Sequence, residues 1–284
     1  MKRVHPEVRN WLDKNQEGTV TSVDPVSGGC IHQVLRVTTS SGKGYFLKQE
    51  PGKFPDIFQR EAEGLKELRV EGGPMIPEVY LVGKDYLVLS DLQPASHCKD
   101  FWQIYGRQLA AVHLQRNQRF GFDSDNYIGS NPQRNRWMEN GWDFFRDLRL
   151  NPQIRWANDR LLLDDKDNTK LDHLLNRLPD LIPQQPASLL HGDLWSGNLI
   201  TNHIGEPALI DPAVYYGWAE ADLAMADLFG SYPDNFYQAY LEINPLESGY
   251  RSRFPLYNLY HLLNHLNLFG KGYLSQIRLI LDQF

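Results

Sequence analysis

The spacing of apolar residues changes for good near residue 91, and that change constrains what the chain can fold into. Before it, five short runs at 20–26, 33–39, 45–49, 78–82 and 86–90 read as strands. They are separated by turn sequences such as Ser40-Ser41-Gly42-Lys43-Gly44 and Gly83-Lys84-Asp85. One helical stretch, 54–69, stands among them, with Phe58, Glu61, Leu65 and Leu68 on one face. A short amphipathic helix within 1–17 carries Val4, Val8, Trp11 and Leu12. Beyond Asp91 the pattern is mostly helical, with helices expected at 99–115, 134–150, 154–164, 168–177, 220–229, 235–241, 252–268 and 273–281. The expected fold is α+β and two-lobed. A small antiparallel β-sheet lobe with one main helix spans 1–90, and a larger α-helical lobe spans 91–284. Ligand sites commonly form at such a junction.

The helical half is interrupted by His191-Gly192-Asp193-Leu194-Trp195-Ser196-Gly197-Asn198, followed by Ile210-Asp211-Pro212. Apolar residues lead in (Leu189-Leu190), and apolar pairs follow (Leu199-Ile200, Leu209-Ile210), so a loop and two short strands are expected. The segment sets a carboxylate, a carboxamide five residues on, and a second carboxylate thirteen beyond that. Transfer of the terminal phosphoryl group of ATP needs such a set: one carboxylate for the proton of the attacking hydroxyl, an amide and a carboxylate for magnesium.

Two residues of the first lobe complete the set. Lys48 shares a strand face with Phe46. Glu61 lies three after Phe58 and four before Leu65, on the apolar face of its helix, where a carboxylate is costly unless partnered. A Lys48–Glu61 ion pair resolves that cost; Glu63 falls on the flank. Gly28-Gly29 lies between two strands and is either a hairpin turn or a backbone cradle for phosphate oxygens. His261 and His265 stand at metal-ligand spacing, but the surrounding Leu and Tyr residues favour helix packing, and no zinc is assigned.

Composition narrows the partners. With 284 residues and 42% hydrophobic content the chain builds a sizeable core. A net charge of −6 without a basic run argues against nucleic acid. Only Cys30 and Cys98 occur, which fits a reducing compartment. Neither a signal peptide nor a membrane-spanning run is visible, so a cytoplasmic protein without a membrane partner is expected.

These residues resemble the protein-kinase-like superfamily, which includes aminoglycoside phosphotransferases, and within it the fructosamine kinase (ketosamine-3-kinase) family. The resemblance covers nearly the whole chain: Gly28-Gly29-Cys30-Ile31, Phe46-Leu47-Lys48, Phe120-Gly121-Phe122 with Asn126, Trp137, the segment 191–198, Ile210-Asp211-Pro212, Asp222-Leu223-Ala224 and Leu228-Phe229-Gly230. It implies ATP- and Mg2+-dependent phosphorylation of the O3 hydroxyl of a ketosamine on a glycated amine or glycated protein lysine. Fructosamine, ribulosamine and erythrulosamine all remain open as the ketose. Phosphorylation would initiate deglycation.

By position, the resemblance implies Asp193 as general base, Asn198 and Asp211 as magnesium ligands, and Lys48 on the α/β phosphates, oriented by Glu61. It implies Gly28, Gly29 and Cys30 as the phosphate-covering loop, and the hinge segment Leu89, Ser90, Asp91 and Leu92 as the reader of adenine. His191 and Asp222 would brace the loop. Trp195 and Asp227 are candidates for substrate contact. Cys30 is a candidate redox cross-link between two chains, so monomer and homodimer both remain open. Gly192, Trp195 and Pro212 depart from the protein kinases, against a peptide kinase switched by phosphorylation. A kinase of the same fold acting on an aminoglycoside, choline or homoserine is the first rival. A catalytically idle nucleotide-binding protein is the second, but it would be expected to lack the base, a metal ligand or the lysine, and all are present.

Overall fold

The computed structural model describes residues 4–15, 17–26, 33–50, 52 and 54–284. Gly28, Gly29 and Cys30 lie outside them. The chain opens with α1 (Pro6–Lys14), started by Pro6 and by the His5 side chain, which accepts from Glu7 N. Strands β1 (Val20–Pro25), β2 (Gln33–Thr39) and β3 (Gly44–Gln49), helix α2 (Ile57–Glu67), and strands β4 (Val79–Val82) and β5 (Tyr86–Ser90) follow. The strands form one five-stranded sheet in the order β1-β2-β3-β5-β4, each neighbouring pair antiparallel.

Alternation along β3 sorts its side chains between two cores. Tyr45 and Leu47 join Leu35, Val37 and Val88 beneath α1. Phe46 faces the other way, toward the core that Leu87 and Leu89 share with α2 and the helical lobe. Lys48 lies on this second face, buried, opposite Val34 and Leu87.

The second part begins with α3 (Phe101–His113) and the short strands β6 (Arg116–Asn117), β7 (Asn126–Ile128) and β8 (Asn131–Gln133). Next come α4 (Gly141–Phe144), a π-helical turn over Phe145–Leu150, α5 (Asn151–Asp159), α6 (Asp165–Asn176) and α7 (Leu178–Leu181). Strands β9 (Ala187–Leu190), β10 (Leu199–Thr201), β11 (Pro207–Leu209) and β12 (Tyr215–Gly217) precede α8 (Ala219–Leu228), α9 (Asp234–Ile243), α10 (Tyr250–Phe269) and α11 (Leu274–Leu281). Helix α3 packs on α9, and α8 on α10. Among the described residues no helix is long and apolar enough to cross a membrane.

The helix expected over 134–150 forms only in its second half. Residues 134–140 run extended because tertiary backbone bonds claim them: Phe122 N donates to Asn135 O at 2.7 Å, and Met138 N to Phe120 O at 2.8 Å. Asn140 then caps α4, accepting from Asp143 N. The helix expected from 168 starts earlier, at Asp165, because Asp164 and Asp167 form a reciprocal capping box.

Candidate active site

The loop after β9 is held from beneath by one carboxylate. Asp222 on α8, 1% exposed, accepts from His191 N at 2.7 Å and Gly192 N at 2.9 Å, and lies 3.3 Å from His113 Nε2. Burial opposes its charge, but these partners win and hold the carboxyl below the usual carboxylate range. His113 is anchored in turn by Tyr240 Oη at 2.7 Å. Gly192 has φ +81°, and a Cβ there would run into Ala213 O. A side chain such as arginine does not fit, which gives the sequence departure at this position a steric reason.

His191 joins the two halves of the segment. It is fully buried, and its Nδ1 accepts from Asp193 N at 3.3 Å, so its Nε2 carries the proton donated to Ile210 O at 2.9 Å. Burial pushes its pKa down, and a neutral ring suits both bonds. The β10–β11 hairpin then returns the chain to Asp211, which sits at φ +56°, a conformation Asp tolerates better than most residues.

Asp193 and Asn198 face each other. Asn198 Nδ2 donates to Asp193 O at 2.8 Å and to Asp193 Oδ2 at 3.2 Å. The amide is thereby oriented, leaving Oδ1 as its acceptor end. Burial, and next the charge of Asp211, push the Asp193 carboxyl up to about 7. Lys48 Nζ donates to Glu61 Oε1 at 2.6 Å and also to Asp211 Oδ1. Burial works against the ammonium, yet Asp211 and Glu61 together raise its pKa. Burial likewise pushes the Glu61 carboxyl up, while Lys48 pulls it back. Glu63 instead pairs with Arg60 at 2.8 Å and accepts from Ser124 Oγ, on the flank.

One cavity of about 640 Å³ collects Lys48, Glu61, Asp193, Trp195, Asn198 and Asp211. His191 and Asp222 lie outside its lining and hold the loop from behind. Leu89, Ser90, Asp91 and Leu92 are also outside it. Leu89 is buried, Ser90 bonds Glu78 through both N and Oγ, and Asp91 pairs with Arg36 at 2.9 Å. Asp227, near the end of α8, does not line the cavity either. Sequence reasoning missed the β7–β8 turn, Tyr127 to Ser130, and the aromatic wall formed by Phe229, His265, Phe269 and Tyr273. Asn126 was the one signal for the turn: its Nδ2 donates to Val214 O at 2.8 Å.

The donor set suits magnesium, which takes one or two protein carboxylates or amides and fills its remaining positions with phosphate oxygens and water. Asn198 Oδ1 and the Asp211 carboxylate supply that number. The described residues contain no cluster of three or more His, Cys, Asp or Glu of the kind an all-protein metal cage would need.

A family model described as fructosamine kinase matches residues 5–284. A Synechocystis protein named "probable ketoamine kinase" is 41% identical over 91% of this chain and 88% of its own. The chloroplastic protein-ribulosamine 3-kinase of Arabidopsis thaliana is 33% identical over 98% of this chain and 87% of its own. A solved Thermobifida fusca structure named "putative fructosamine-3-kinase" superposes with a TM-score of 0.90 at 31% identity, covering 98% of each chain. An aminoglycoside phosphotransferase solved with ADP and hygromycin B shares the fold, at a TM-score of 0.63 and 17% identity over 97% of this chain and 98% of its own.

Proposed function

Since the chain belongs to the fructosamine kinase family, we propose that it transfers the terminal phosphoryl group of ATP to the C3 hydroxyl of a ketosamine and so initiates deglycation. It is a phosphotransferase with an alcohol acceptor, ATP is its donor, and glycated amines are its substrate class. Relatives named for ribulosamine and for fructosamine stand at similar identity, so both adducts enter the test.

The observation that carries this reading is the convergence of Asp193, Asn198, Asp211 and the Lys48–Glu61 pair on one cavity. Asp193 receives the proton of the acceptor hydroxyl. Its carboxyl, pushed up to about 7, is matched to that task near neutral pH. The Asn198 amide, bonded to the Asp193 carboxylate, keeps the base aimed. Lys48, buried and kept charged by its carboxylates, takes the α/β phosphates, and Glu61 holds it in place. Asn198 Oδ1 and Asp211 would hold magnesium, which when bound neutralises the charge of the phosphates. The lobe division is taken after Ser90, where the sheet ends, although the core is shared across it.

The test is mass spectrometry of peptides carrying ribulosamine, fructosamine or erythrulosamine on lysine, incubated with the enzyme, ATP and magnesium. A gain of one phosphoryl group on the sugar of at least one adduct is expected, and a far slower gain with Asp193→Ala. Transfer only to aminoglycosides or choline would overturn the reading.

A further inference from the structure

Asn264 stands on α10 in the wall of the cavity and is only 3% exposed. Its Oδ1 accepts two bonds, from Asn131 Nδ2 at 2.8 Å and from Gln153 Nε2 at 3.2 Å. The direction of these bonds is fixed from behind the cavity. Asn267 Nδ2 donates to the Gln153 backbone oxygen at 2.9 Å and to Gln153 Oε1 at 2.8 Å. A backbone oxygen can only accept, so the Asn267 end is its amino group. Gln153 Oε1 is then an acceptor, Gln153 Nε2 a donor, and the Asn264 atom that meets it the oxygen. Asn264 is left with Nδ2 for the cavity, and among the described residues nothing accepts from it. Gln153 and Asn267 are themselves buried, so the relay holds the amide in one orientation. A buried donor without a partner is costly unless something in the cavity accepts from it.

We propose that Asn264 Nδ2 is a specificity-determining donor that binds an oxygen of the acceptor sugar other than the one phosphorylated. The inference rests on the ketosamine kinase reading above. In that reaction Lys48, Asn198 and Asp211 serve the nucleotide and its metal, from β3 and the loops around the base. Helix α10 instead packs on α8, α5 and α11 within the larger lobe. Burial first, and the Asp193 charge among the lesser causes, raise the pKa of the Tyr260 phenol, one turn before Asn264. This face of α10 therefore lies near the base. The secondary ammonium of a ketosamine has no lone pair to offer an N–H group, whereas its carbonyl and hydroxyl oxygens do. The donor thus demands a second oxygen beside the reacting hydroxyl. Choline has only the oxygen that would attack. A protonated amino group of an aminoglycoside at this point would set N–H against N–H.

The experiment compares wild type with Asn264→Asp on the ketosamine of methylamine and on analogues that each lack one oxygen other than O3. The aspartate keeps an oxygen for Asn131 and Gln153 and replaces only the free donor. On the intact ketosamine kcat/KM is expected to fall about ten- to a hundredfold, carried by KM. Affinity of the ADP-bound enzyme for the ketosamine, read by calorimetry, should fall by a like factor, with ADP affinity unchanged. Deleting one particular oxygen should cost wild type about tenfold and cost Asn264→Asp nothing. Gln153→Glu, whose side chain lies outside the cavity lining, gives an independent test. A carboxylate cannot donate to Asn264, so the relay turns over and the same pattern is expected. Losses that add for every oxygen, as the added charge alone would produce, overturn the assignment. So does Asn264→Asp at wild-type kcat/KM, or a fall in ADP affinity. If wild type does not phosphorylate the intact ketosamine, the ketosamine reading itself fails, a result distinct from additive losses.

Discussion

Asp222 and Asp193 lie on opposite sides of one short loop, and their surroundings drive them in opposite directions. The Asp222 side is saturated: two backbone N–H groups and the His113 ring lie on its carboxylate, and the anion is favoured despite burial. The Asp193 side is left short of donors. Asn198 supplies one bond, burial and Asp211 oppose the charge, and the anion is strained. The same residue type thus becomes a fastener on one side and, in the proposed mechanism, a proton acceptor on the other. The difference lies in how many donors the fold supplies.

This contrast can be broken in steps. The largest effect is expected on the open side: Asp193→Ala should lower kcat by about 10²–10⁴-fold, measured by steady-state assay, with nucleotide binding retained by calorimetry. Activity near wild type would remove Asp193 from the chemistry. On the saturated side, Asp222→Ala should cost about 3–5 kcal/mol of stability, because it leaves buried donors without an acceptor. Urea unfolding reads this, and a change within 1 kcal/mol (about the net worth of one ordinary hydrogen bond) would show that the loop is held otherwise.

Two smaller predictions concern pH. With its carboxyl pushed up to about 7, Asp193 can act as the proposed base only when ionised. kcat/KM should therefore fall about tenfold per pH unit below that value and level off above it. A flat profile between pH 5 and 8 (roughly the window in which most proteins are maximally stable) would contradict this. For stability the two residues carry opposite signs. Asp193 has a raised folded-state pKa, so its contribution is greatest below its unfolded value and is lost as pH rises toward 7. Asp222, with a lowered pKa, contributes above the ordinary carboxylate range and loses that contribution in acid. Asp193→Asn should therefore stabilise the protein at pH 8 by about 1–2 kcal/mol once solvent screening is allowed for. A variant less stable than wild type at that pH would mean that the anion is welcome where it stands.

The sheet was legible in the sequence because runs rich in β-branched and aromatic residues at 33–39, 45–49 and 86–90 are set off by turn residues. Strands β7 and β8, three residues each, are too short to stand out as such runs. Residues 134–140 read as helix because nothing local reveals that Phe120 and Phe122 will take their backbone groups. In the site, the Lys48–Glu61 contact could be foreseen because a carboxylate on an apolar helix face demands a partner. The grouping of Asp193, Asn198 and Asp211 was legible from spacing alone. The aromatic wall was not. Its rings come from the end of α8, from α10 and from the turn before α11, where each residue alone reads as packing. Asp227, chosen for standing five after Asp222, and the segment 89–92, carried over from the resemblance, do not line this cavity.

Helix α2 is fastened to the larger lobe along its length: Tyr127 Oη donates to Asp56 at its start, Ser124 Oγ to Glu63 midway, and Tyr216 Oη to Glu67 at its end. Gly64 faces Pro212 and Val214 so closely that an added methyl would crowd both. A helix riveted at three points has no low-cost way to swing Glu61 off Lys48. Among the described residues, these contacts oppose the throttle that a mobile helix would provide. The protein's turnover should then follow the supply of acceptor and nucleotide.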